Sequence, residues 1–97
     1  MHELQYGQIV KSKAGRDKDR IFIVVDVQGE FALLADGQLR RVEDPKRKKM
    51  KHIQPTKKII EELSDKLSRD KKVTNIEIRR HLAIYQVNDD TLKRGGG

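Results

Sequence analysis

Cysteine and tryptophan are absent from these 97 residues. Without cysteine there is neither a disulfide framework nor a thiolate metal site, which fits a reducing compartment. Aromatic residues are scarce, two tyrosines and two phenylalanines. With Tyr6 and Phe31 the main candidates for exposed rings, that is too few for single-stranded nucleic acid to be held by serial base stacking. No apolar stretch approaches membrane-spanning length, and the opening MHELQYGQ has neither the basic start nor the apolar run of a signal peptide. The sequence therefore predicts a soluble, cytoplasmic protein with no membrane partner. His2, His52 and His81 are far apart, and none has the i, i+4 spacing of a helical metal pair. Gly7, Gly15, Gly29 and Gly37 are scattered singly and build no phosphate-binding loop. Catalysis has no constellation to rest on, and the expectation is a protein that is not an enzyme and needs no metal or cofactor. A hydrophobic content of 35% over this length allows one small domain, or a smaller one with a helical appendage.

Charge is abundant and unevenly placed. Residues 40–51 hold Arg40, Arg41, Lys46, Arg47, Lys48, Lys49 and Lys51 against only Glu43 and Asp44, five of the chain's net +7. A local excess of this size attracts polyanions and speeds their encounter. The plain alternative is a solvated surface run.

Residues up to about Pro55 follow a period of two. In IFIVVDV, Ile21, Ile23, Val25 and Val27 fall on one face and Phe22 and Val24 on the other, so both faces are apolar and the strand is expected to be central. Gln28, Gly29 and Glu30 make a turn, and FALLA is the next strand. Asp36-Gly37 is the dipeptide of a two-residue hairpin turn, after which 38–42 pairs back. Pro45 interrupts, and 50–53 returns as a last strand that closes a barrel. Short strands at this spacing predict a mainly β fold with C-terminal α, a small five-stranded SH3-like barrel over 1–55.

Past Pro55 the period becomes helical. Thr56 is placed to cap a helix carrying Ile59, Ile60, Leu63 and Leu67, and 69–72 connects it to a second. There Thr74 and Glu77 form a T-x-x-E capping box, with Val73 and Ile78 as the hydrophobic staple. Its stripe is Ile78, Leu82 and Tyr85, and Asn88-Asp89 marks its end. The expectation is a helical hairpin over 56–88 packed on the barrel, then a disordered tail over 89–97.

One stretch, YGQIVKSKAGRDKDRIFIVVDVQGEFA over 6–32, joins two apolar strands by a charged loop centred on Gly15. A lone glycine at a loop tip signals φ > 0 or a close approach by a partner. Asp17 and Asp19 lie among Arg16, Lys18 and Arg20, where ion pairing lowers a carboxyl pKa and makes a poor general acid. The pattern resembles the KOW motif of ribosomal proteins and NusG-type transcription factors. With ADGQLRRVEDPKRKKMKHIQPT after it, the first 56 residues resemble bacterial KOW-domain proteins similar to a large-subunit ribosomal protein of archaea and eukaryotes. That resemblance, which fades after Pro55, implies an SH3-like barrel, and with the basic run beside it points to structured RNA, ribosomal RNA foremost, as the partner. The protein is expected to be a monomer, with ribosomal proteins as further partners. The RNA-binding candidates are Lys11, Lys13, Gly15, Arg16, Lys18 and Arg20 in the first loop, and Arg40, Arg41, Lys46, Arg47, Lys48, Lys49 and Lys51 along the basic run. The loop and the run are expected to form one continuous cationic edge. A competing expectation, in the manner of NusG-type factors, is a domain that binds a protein of the translation or transcription machinery.

Overall fold

A computed structural model describes the backbone of residues 3–96 and the side chains of residues 3–88. Five strands, β1 (Gln8–Ser12), β2 (Ile21–Gln28), β3 (Phe31–Ala35), β4 (Lys46–Lys49) and β5 (Ile53–Ile59), form one antiparallel sheet in the order β4-β3-β2-β1-β5. The last strand thus returns beside the first. Two helices follow, α1 (Glu61–Ser68) and α2 (Asn75–Gly96). The small five-stranded sheet with C-terminal helices is the expected class. The sheet does not close into the expected barrel, because β4 and β5 are outer strands with no ladder between them.

β2 is central, as its two apolar faces require. On one face Ile9, Ile23 and Ala35 pack with Ile60, Leu63, Val73, Ile78 and Leu82. On the other, Val10, Phe22, Val24, Ala32, Leu34 and Ile53 form a second cluster within the curl of the sheet. Val27 leaves the face predicted for it. The register slips between Val24 and Asp26, and a bulge of one residue reverses the alternation beyond it, so Val27 packs with Phe22 and Val24.

Four boundaries depart from the sequence expectation. Residues 38–42 form no strand, because the Asp36 carboxylate accepts hydrogen bonds from the backbone N–H groups of Gln38 and Arg40, both at 2.9 Å. This turns a tight hairpin into a longer loop. Gly37 in that loop lies against the start of α2, where a Cβ would overlap the Asn75 carbonyl. The partner of β3 is instead the basic run itself, with Phe31, Ala32, Leu33 and Leu34 opposite Lys49, Lys48, Arg47 and Lys46. Pro45 precedes this strand and costs it no ladder bond.

Residues 50–53 are not the closing strand. Met50–His52 is a 3₁₀ turn, and β5 runs through Pro55 to Ile59. A proline is tolerated there because β5 is an edge. Thr56 is no helix cap: its hydroxyl donates to the Ile9 carbonyl at 2.7 Å. The change from strand to helix therefore falls after Ile59. α2 continues past Asn88-Asp89 to Gly96, since neither residue breaks a helix as proline or glycine does. Met1, His2 and Gly97 lie outside the described residues, and so do the side chains of the stretch 89–97 that was expected to be disordered.

Glu62 lies 3.8 Å from His81, and Lys66 is bonded to Glu77. Ascending one helix thus descends the other, which makes the pair antiparallel. The capping box forms as predicted: Glu77 N–H donates to Thr74 Oγ1 at 3.2 Å, and Thr74 N–H donates back to the Glu77 carboxylate at 2.9 Å. Lys66 and Thr74 hold the Glu77 carboxyl at about 2, below its ordinary value.

Candidate nucleic-acid interface

Gly15 tips the loop between β1 and β2 with φ +88, a conformation that L side chains rarely adopt. Backbone bonds fold the loop on itself, Lys18 N–H to the Gly15 carbonyl (3.2 Å), Arg20 N–H to Asp17 (3.0 Å) and Asp19 N–H to Ser12 (2.8 Å). Lys13 N–H donates to the His52 carbonyl at 2.9 Å, tying the loop to the 3₁₀ turn.

Asp17 organises the charge. Its carboxylate accepts from Ser12 Oγ at 2.8 Å and from Lys48 Nζ at 3.1 Å, and Lys46 Nζ stands 3.1 Å from the other oxygen. Lys48 also donates to the Ala14 carbonyl at 2.9 Å. These lysines come from β4, and each lies opposite an inward-facing residue of β3, Leu34 or Ala32. They therefore reach across the concave side to hold the loop from beneath. Burial pushes the Asp17 carboxyl up, but the hydrogen bonds from Ser12 and Lys48 and the paired Lys46 ammonium outweigh it and hold the pKa at about 2. Asp17 is depressed as the sequence predicts. Its cations are distant in the chain, not the neighbours Arg16, Lys18 and Arg20.

The predicted binding residues fall into three groups. Arg20 pairs with Asp36 at 3.2 Å and Arg41 with Glu43 at 3.1 Å, and bonds from Asn75 and Arg41 draw the Glu43 carboxyl below its usual range. Lys46 and Lys48 are engaged on Asp17. Among the described residues Lys11, Lys13, Arg16, Lys18, Arg40, Arg47, Lys49 and Lys51 make no ion pair. Of these, all but the half-buried Lys11 and Arg40 are exposed. The Asp17 bonds and the Lys13–His52 bond join the Gly15 loop to residues 46–52 on one rim of the sheet. Arg40 and Arg41 belong instead to the loop that meets α2, where Val42 N–H donates to Asn75 Oδ1 at 2.8 Å and Arg79 donates to the Gly37 carbonyl at 2.6 Å.

Sequence reasoning missed two features. One is Asp17 as the anchor of the loop; the only local sign is an acid two residues past the glycine. The other is the stacking of Arg47 on Phe31, whose ring centroid lies 3.6 Å from the guanidinium carbon. No protein-family model matches the chain, and no curated protein matches its sequence.

Proposed function

We propose that this chain is an RNA-binding module of the KOW type, an SH3-like barrel with an added helical pair. It takes structured RNA, ribosomal RNA first, through the Gly15 loop and the outward side chains of residues 47–51. The strand order, with β5 returning beside β1, supports the barrel reading. The observation that carries the function is the Asp17 lock, which fixes a loop bearing Lys13, Arg16 and Lys18 to the inward side of β4, while Arg47 and Lys49 are exposed on the other side of the same strand and Lys51 is exposed just past it. Unpaired cations preset on both sides of one outer strand suit phosphates, whose recognition needs no sequence reading. Shape and backbone are what such a surface recognises.

The test is titration of ribosomal RNA fragments at rising salt. Affinity falls steeply on a log–log plot, and the triple variant Arg47→Gln, Lys49→Gln, Lys51→Gln lowers the slope by about one for each phosphate that is no longer neutralised. A triple variant that keeps both affinity and slope removes the rim from the interface. The second reading, a module that binds a protein of the translation or transcription machinery, is favoured by exposed Ile76, Ile84 and Val87 on α2. Affinity for such a partner would hardly respond to salt.

A further inference from the structure

In the run KRKK over 46–49 a single position is arginine, and it is the one that covers an aromatic ring. Arg47 lies opposite Leu33 and Lys49 opposite Phe31 in the β3–β4 ladder, so these four side chains share one face of the sheet. It is the face turned away from Asp17. The Arg47 guanidinium carbon is 3.6 Å from the Phe31 centroid, in van der Waals contact with the ring face. Lys49 Nζ is 6.0 Å from the same centroid. Phe31 is half-buried while Arg47 is exposed, so the ring supports the guanidinium from below and solvent meets its upper side.

We propose that Phe31 and Arg47 form a stacking platform for one unpaired base of the bound RNA, with Lys49 on the adjoining phosphate. This rests on the RNA reading above and adds to it a preference for bulged or looped nucleotides over continuous duplex. A guanidinium is planar and weakly hydrated, so a base stacks on its open side while the in-plane donors remain available to the base edge or to phosphate. A lysine at this position would supply the same charge for solubility or for phosphate binding, but no plane. One platform takes one base, which agrees with a chain too poor in aromatics for serial stacking. β4 is an outer strand. RNA crossing it can therefore meet the loop cations on one side and the platform on the other.

The experiment compares two RNA hairpins of equal length, each closed by a polyethylene glycol linker so that neither has loop bases, one fully paired and one carrying a single bulged fluorescent adenine analogue, with the full chain and its Arg47→Lys and Phe31→Leu variants. The parent is expected to prefer the bulged hairpin and to quench its fluorophore. Arg47→Lys is expected to lose about tenfold in affinity for the bulged hairpin. Its affinity for the paired hairpin falls much less than this, and its salt slope changes little, because the charge is retained. Phe31→Leu should act in the same direction. If Phe31→Leu melts early, the exposed Arg47→Lys site decides the matter alone. Equal binding of both hairpins by the parent without quenching overturns the platform and leaves the RNA reading standing, as does an Arg47→Lys protein that behaves like the parent. Failure of the parent to bind either hairpin, or any ribosomal RNA fragment, overturns both.

Discussion

Lys46 and Lys48 leave β4 on one side, Arg47 and Lys49 on the other, and the same charge in consecutive positions does different work. The inward pair converges on one carboxylate, with the Lys48 side chain only 10% exposed and that of Asp17 12%. There the surroundings screen little, and removing one member strands the others. The outward pair is exposed, where each charge adds little to folding but remains available to a polyanion. Two lysines on one aspartate leave a single net positive charge in the lock. The charge counted along 40–51 therefore overstates what a ligand meets, and strand alternation is what divides it.

The strongest attempt to break this comparison is removal of the shared anion. Asp17→Ala leaves Lys48 nearly buried beside Lys46 without a counter-charge, and is expected to cost about 3 kcal/mol. Urea denaturation measures it. A change within about 0.5 kcal/mol, the range of ordinary surface substitutions, would mean that inward and outward lysines do not differ.

Acid titration probes the same lock without mutation. The folded Asp17 pKa is drawn down from 3.8 to about 2. A depressed carboxyl contributes stability that is present above its unfolded pKa and is lost as pH falls through the folded one. The loss therefore lies between about pH 4 and pH 2 and amounts to about 2 kcal/mol. Glu77 titrates in the same window, so the quantity to compare is the difference between parent and Asp17→Asn. Parallel stability curves for the two proteins across that window would remove Asp17 as the source.

How much of this was legible follows from where the information lies. The central place of β2 was readable because apolar residues on both faces leave few alternatives. The capping box was readable because all its partners lie within four residues. β4 was not: a four-residue cationic run has no apolar alternation, and its pairing is decided by β3 and by the Asp36 turn before it. Nor was β5, since Ile59 and Ile60 fit a helical stripe as well as a strand end, and Thr56 finds the Ile9 carbonyl only once the sheet exists. The site divides in the same way. Gly15 and its cations were visible locally, while the Asp17 lock joins residues 29 and 31 positions apart.

Gly15 separates backbone shape from charge at the loop tip. A Cβ there would stand 3.6 Å from Asp17 Oδ1 and Lys48 Nζ, so there is room for it, and the cost is that of holding φ +88. Gly15→Val is expected to lose about 1 kcal/mol or more and to weaken RNA binding with net charge unchanged. Gly15→Asn, which tolerates the left-handed region, should lose less of both. Melting curves and RNA titrations on the two proteins give the ordering. A Gly15→Val protein that binds RNA like its parent makes the loop a plain connector.

The smallest expected effect on binding tests the other side of the molecule, where the helices meet the sheet away from the Asp17 rim. Thr74→Ala deletes the hydroxyl that accepts from Glu77 N–H, while the return bond from Thr74 N–H to the Glu77 carboxylate needs no side chain at position 74. Half of the capping box survives, and the loss should be about 1 kcal/mol of stability. Val73 and Ile78 remain buried in the cluster that α2 shares with the sheet, so the helix stays docked. RNA affinity measured well below the melting temperature should match the parent's, because the cap touches neither the Gly15 loop nor β4. A folded Thr74→Ala protein with a large loss of RNA affinity would bring the helical pair into the interface, and the contrast between the two faces of β4 would no longer account for binding.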